Sequence, residues 1–261
     1  MTNRPRDAFS SPETVKGFSG AAGNRVRALK VGHSICALLH DRPGIWPVEC
    51  VITGGVQMYT VKFIGVGSAF TTRDYYQSNA LIIAPSGKKL LIDCGSHAQF
   101  ALEEAGIHNG NVGDEIDGVY ISHLHADHVG SLEWLALVTY FNPRFQRPKL
   151  FAIRTLMSEL WNKSLRGGLE TLEGKLANLT DYFDCRPILI NKTFEWEGIQ
   201  FSPVQTVHVV SGMKIQHSYG LIISEKGSKH KVFFTTDMQF APYQMRKLYD
   251  QVDLIFHDCE T

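Results

Sequence analysis

An α/β fold is the expectation for this chain of 261 residues, on three observations. Short runs rich in Val, Ile, Leu and Phe alternate with amphipathic helical stretches, the pattern of strands covered by helices. Several of the apolar runs end on a residue able to bind a metal or a proton: Asp93, Asp237 and His257. The segment ISHLHADHVG, residues 121–130, puts three histidines and an aspartate between a strand and a helix, where α/β proteins place ligands.

The elements follow in order from Tyr59. Residues 59–65, 79–84 and 88–93 read as strands, the last two joined by the turn Pro85-Ser86-Gly87. Residues 96–105 read as a helix stopped by Gly106. Strand 118–121 leads into the His-rich turn, and helix 129–140 leaves it. Strand 149–153 follows. Leu156, Met157, Leu160, Trp161 and Leu165 line one face of a helix over 154–166. Leu169, Leu172, Leu176 and Leu179 make a second helical stripe. The rest is mainly β: 186–190, 199–204, 206–210, 214–224 and 230–236, then a helix at 242–249 and a strand at 252–257. No internal repeat is present.

Residues 1–57 differ from the remainder. They are rich in Gly, Ser, Pro and Arg and hold 7 Lys/Arg against 4 Asp/Glu, while residues 58–261 hold 19 against 22. A disordered or poorly packed extension is expected there, with the folded domain spanning 58–261. Net charge is zero over the whole chain, which excludes a globally basic nucleic-acid binder. No apolar run is long enough to span a membrane. Five scattered cysteines without a C-x-x-C pair argue against a disulfide framework and fit a reducing, cytoplasmic setting.

The chemistry centres on His123, His125, Asp127 and His128. Imidazole and carboxylate together suit zinc and related first-row ions. Asp93 precedes a helix and can cap it, or it can orient a metal-bound histidine. His208 sits in a strand, where a lone histidine is ordinarily a half-buried core residue. Asp237 ends an apolar strand and must be solvated, paired or metal-bound, because burying a lone carboxylate is too costly. With His257 also at a strand end, a convergent site explains these positions better than coincidence.

H-x-H-x-D-H followed by His, Asp and His resembles the metallo-β-lactamase superfamily. Three further segments are similar to its tRNase Z-like branch, which includes ribonuclease Z and phage cyclic-nucleotide phosphodiesterases. They are FIGVGSAF at 63–70, IDCGSHAQ at 92–99 and HDCE at 257–260. The resemblance spans residues 58–261 and implies a four-layer αββα sandwich. It also implies two divalent ions, zinc first with manganese or iron as alternatives. His123, His125 and His208 would hold one, Asp127 and His128 the other, and Asp237 would bridge them. The implied reaction is hydrolysis of a phosphodiester, RNA or a cyclic or small nucleotide, by a metal-bridging hydroxide. Asp127 would orient that nucleophile, and His257, with Asp258 or Glu260, would protonate the leaving oxygen. A lactonase or thioesterase on the same scaffold, or a non-enzymatic metal-binding module, are the alternatives. The last metal ligand is either His257 or a residue beyond Thr261, and the spacing favours the latter. Arg144, Arg147, Lys149, Lys163 and Arg166 form a modest basic cluster, and the 154–180 segment is a candidate lid or homodimer contact.

Overall fold

The structure, a computed structural model, describes residues 59–239 and 241–258, together with three strand backbones before them. Those are β1 (Arg27–Val31), β2 (Ser34–Leu38) and β3 (Val48–Ile52). The rest of the expected extension lies outside the described residues, as do Cys259 and Glu260. The chain continues through β4 (Tyr59–Gly65), β5 (Asn79–Ile83), β6 (Lys89–Ile92), α1 (Ala98–Glu104), α2 (Val112–Glu115) and β7 (Gly118–Tyr120). Then come α3 (Ala126–Val129), α4 (Leu132–Phe141), β8 (Lys149–Ile153) and α5 (Arg154–Leu160), which runs through a π-turn at Trp161–Leu165 into α6 (Arg166–Leu169). The hairpin β9 (Thr171–Leu172) and β10 (Lys175–Leu176) precedes α7 (Leu179–Tyr182), β11 (Asp184–Ile188) and β12 (Phe194–Trp196). β13 (Ile199–Ser211), β14 (Lys214–Glu225), β15 (Val232–Phe234), α8 (Pro242–Tyr249) and β16 (Leu254–Phe256) complete it.

Two seven-stranded sheets carry the fold. One runs β11-β8-β7-β6-β5-β4-β3, the other β1-β2-β16-β15-β14-β13-β12. They face each other through aromatic side chains. Phe63 on β4 packs on Phe234 and Phe256, with ring centroids 5.7 and 5.0 Å apart. Phe194 on β12 stacks on Phe151 and Phe201. The buried Tyr120 hydroxyl donates across the gap to the Tyr219 carbonyl at 2.9 Å. Such pairs add directional contact to the burial that drives sheet packing. Outside the second sheet, Tyr249 of α8 and Val252 cover Phe233 and Ile255. Outside the first, Ala98, Ala101 and Leu102 of α1 and Leu132, Leu135 and Ala136 of α4 join the main core. The result is the expected αββα order.

Two of the differences from the sequence reading have a local cause. Leu169, Leu172, Leu176 and Leu179 do not share one helix: Gly174, at φ 78°, turns the chain into the β9–β10 hairpin. A glycine takes that left-handed turn without a Cβ clash, and the leucine spacing hid it. Leu156, Met157, Leu160, Leu165 and Leu169 lie in the chain's own core, while Leu176 is exposed. The strands expected at 199–204 and 206–210 are one long strand with a bulge, where Val207 pairs His217 and Val209 pairs Gln216. His208 is the extra residue.

Candidate metal centre

The first sheet supplies the His-rich turn. β6 and β7 run parallel, so the segments after Ile92 and Tyr120 emerge at the same edge. Asp93 takes φ 59°, a costly conformation for a residue with a side chain, and one that clusters at functional sites. Its carboxylate then accepts from the Ser122 amide at 2.8 Å and the Ser122 hydroxyl at 2.7 Å. The other partner of Asp93 Oδ2 is His128 Nδ1, at 2.7 Å. The Ser122 hydroxyl, having given its proton to Asp93, can only accept from His123 Nδ1 at 3.0 Å. One buried carboxylate therefore sets two rings, and each turns its Nε2 away from Asp93.

The opposing sheet supplies the rest. The bulge at His208 re-aims its side chain and frees the Val207 carbonyl, which accepts from the Gln239 amide at 2.9 Å. This bond ties the histidine strand to the loop that carries Asp237. Thr236, at φ 52°, bends that loop beyond β15. Asp258 secures it from the β16 side, with its amide donating to Thr235 Oγ1 and its carboxylate accepting from the Met238 amide.

These devices converge on one spot. Asp237 Oδ1 lies 3.2 Å from His128 Nε2, and Oδ2 lies 3.6 Å from His208 Nε2 and 3.9 Å from His123 Nε2. His208 Nε2 is 3.0 Å from His125 Nδ1, and Asp127 Oδ2 is 3.4 Å from His128 Nε2. The donor atoms form two groups that share Asp237: His123, His125, His208 and Asp237, and Asp127, His128 and Asp237. Within each group they lie within 4.8 Å of one another. All six residues expected as ligands are thus brought together. His257 belongs to neither group among the described residues. Its Nε2 is 2.8 Å from the Tyr249 hydroxyl, and its Nδ1 faces the Asp258 carbonyl.

The donor set fits a divalent ion. His123 Nε2 is buried with no hydrogen-bond partner, and an unsatisfied buried nitrogen of this kind costs roughly 1–3 kcal/mol. Burial, then the neighbouring His128, His208 and His125, push the His123 pKa far down, so the ring is neutral and offers a lone pair. Burial works against a charged His128, but the Asp93 charge and hydrogen bonds with Asp127, Asp237 and Asp93 raise its pKa well above the usual value. Burial also opposes the Asp127 carboxylate, and hydrogen bonding and charge from His128 more than offset it, holding its pKa low. Concentrated carboxylate charge beside the lone pair of the neutral His123 ring is the environment of a cation.

Residues 59–261 match the family described as Anti-Pycsar protein Apyc1. The chain belongs to the Anti-Pycsar Apyc1 family. It is 35% identical over 205 residues to the Apyc1 protein of Bacillus phage vB_BveM-Goe7, across 77% of this chain and 75% of that one. The Apyc1 protein of Paenibacillus harenae is 35% identical over 202 residues, across 77% and 76%. Among solved structures, the metallo-β-lactamase fold protein YhfI from Bacillus subtilis aligns with TM-score 0.58 at 18% identity, covering 78% of this chain and 71% of that one. The short form of human tRNase Z aligns with TM-score 0.53 at 20% identity, covering 77% and 78%. These two share the fold, as the sequence resemblance implied. Apyc1 family membership and the His/Asp groups that could hold a metal together support a metal-dependent function of phosphodiesterase type.

Sequence reasoning passed over Ser122 and Gln216. Gln216 on β14 lies with its side-chain amide 2.9 Å from His125 Nε2. Ser122 stands beside the motif with no spacing that marks it. Gln216 is 91 positions from the ring it touches, and the packing of β14 on the His-rich turn of the other sheet, with the Tyr219 amide on the Ser122 carbonyl, brings it there. No helix among the described residues is long and apolar enough to cross a membrane.

Proposed function

We propose that this chain hydrolyses the phosphodiester of a cyclic or small nucleotide with two divalent ions held across Asp237. The observation that carries the proposal is the pair of donor groups sharing that one carboxylate, in a chain of the Apyc1 family. Zinc is the first candidate, since the donors are imidazole and carboxylate, with manganese and iron to be compared. Bound ions at this spacing of donors would polarise the phosphoryl oxygens and lower the pKa of water.

The residues around them have separate tasks. His123, His125 and His208 would hold the first ion, with the buried His123 offering a neutral nitrogen. Asp127, ionised across the neutral range, orients a water proton as well as serving the second group. Asp93 keeps His123 and His128 aimed. His257 donates the proton to the leaving oxygen, which requires its Tyr249 bond to yield as substrate enters.

A small nucleotide is favoured over RNA by the state of the basic cluster. Lys163 pairs with Glu159, and Arg166 with Glu170, both one helical turn apart. Arg147 donates to the Thr180 carbonyl. The two exposed pairs are weak, yet with Arg147 engaged they leave the cluster fewer unpaired charges to track a phosphate backbone. The test is a turnover screen of the metal-loaded protein on cyclic nucleotides, bis-p-nitrophenyl phosphate, a tRNA precursor, a lactone and a thioester. Cyclic-nucleotide hydrolysis is expected; turnover of only the lactone or thioester would overturn the reading. His257→Ala at full metal loading should lose about 10²–10⁴-fold in kcat, and unchanged turnover would remove His257 from the mechanism.

A further inference from the structure

We propose that Gln216 is a positioning residue for the metal centre: it sets the tautomer of His125, and so decides whether His125 Nδ1 presents a proton or a lone pair to the first donor group. The inference rests on the reading of that group as a metal site.

The geometry leaves His125 two self-consistent states. Its Nδ1 is 3.0 Å from His208 Nε2, and its Nε2 is 2.9 Å from the Gln216 amide nitrogen. With the amide nitrogen donating to Nε2, the ring proton must sit on Nδ1 and point at His208. That chain of hydrogen bonds is closed, and its Nδ1–H would face any ion entering the group. A half-turn of the amide exchanges its nitrogen and oxygen at almost no packing cost. Oε1 then accepts from Nε2–H, and Nδ1 gains a lone pair directed toward His208, His123 and Asp237. The proton moves from one ring nitrogen to the other, so net charge is unchanged. A residue that can both donate and accept therefore supports both states, and the accepting one is required for His125 to ligate.

The placement is a product of two pairings of β14, one within its sheet and one across to the His-rich turn. The bulge at His208 puts Val209 opposite Gln216, and the Tyr219 amide donates to the Ser122 carbonyl at 3.1 Å, which ties β14 to the His-rich turn and so brings the Gln216 amide to His125. Gln216 thus plays for His125 the part that Asp93 and Ser122 play for His128 and His123.

The two states make opposite predictions for two substitutions. Gln216→Leu removes the acceptor; Gln216→Glu offers only an acceptor. Zinc affinity, measured by chelator competition on each folded protein, should fall about 10–100-fold in Gln216→Leu. Gln216→Glu should bind at least as tightly as the wild type. Side-chain ¹H–¹⁵N spectra should show His125 protonated on Nε2 in zinc-loaded wild type and in Gln216→Glu, even before zinc is added to the latter. Equal weakening by both substitutions, or wild-type affinity and tautomer in Gln216→Leu, would overturn the inference while leaving the metal centre intact. Absence of zinc binding by the wild type, with no change on His123→Ala, would overturn the metal reading itself and this inference with it.

Discussion

At the scale of single residues, the buried Asp93 carboxylate orients His128 directly and His123 through Ser122, a part its place at a strand end already allowed. His123, His125, Asp127 and His128 stand in one short segment, and two donors of one face need no long-range information to be recognised. Asp237 was found by a cost argument, since a carboxylate at the end of Val232-Phe233-Phe234 needs a partner. His208 could be singled out only in company with the others. Gly95 is marked only as part of the IDCGSHAQ segment that carries the resemblance, and the site depends on it. A Cβ there would lie 1.8 Å from the Asp127 carbonyl oxygen, so the loop after Asp93 can touch the turn only if residue 95 has no side chain. Gly95→Ala is expected to cost about 1–3 kcal/mol, the usual range for overpacking. It should also loosen the ion beside Asp127 and His128 more than the one beside His208. Thermal unfolding and metal titration together check this; wild-type values in both would show that the loop shifts without consequence.

At the scale of elements, periodicity located the strands and failed where a single residue breaks the period. The apolar runs of β4 to β8 and β13 to β16 were readable because they are buried and β-rich. β12 is three residues long, and β9 and β10 are two each, too short for any pattern to register. The bulge in β13 was invisible because one extra residue disturbs an alternation no more than a surface substitution does. The loop between β4 and β5 shows how a tertiary bond replaces local pattern. Tyr76, at φ 45°, donates its hydroxyl to Glu104 of α1. Burial first, then that bond, push the phenol from 10.0 up to about 12. A phenol raised in the fold stabilises it fully below the unfolded value, and the contribution is lost as pH rises from 10 toward 12. The stability gap between the wild type and Tyr76→Phe should therefore be constant up to about pH 10 and shrink above it, as followed by urea unfolding. A gap that ignores pH across that window would mean the hydroxyl is not the source of the difference.

At the scale of the whole molecule, the fold joins chemistry that no sequence window contains. His123 and His208 come from different sheets, and Asp237 comes from the loop after β15, in the same sheet as His208. The facing aromatics and the Tyr120 bond to Tyr219 hold the two sheet edges so that these side chains meet. The αββα order was legible through family resemblance; the strand order and register were not, because pairing partners are set by packing across the core. Ions bridging two sheets should stabilise the assembly as a ligand does. At an ion concentration of about a thousand times Kd the gain is about 4 kcal/mol, or roughly 10 °C in Tm for a chain of this length. Chelation should lower Tm by that order, and zinc should restore it; a Tm indifferent to chelation would place any bound ion outside the fold's framework.

Asp237 would lie between two ions, both held by the His-rich turn of the first sheet and the first of them also by His208 of the second, and anomalous scattering at the zinc edge from crystals of the zinc-loaded protein tests this most directly. Two peaks are predicted, one among His123, His125 and His208 and one beside Asp127 and His128, each within coordinating distance of an Asp237 oxygen. Zinc peaks elsewhere on the molecule, with none in this cluster, would contradict the account.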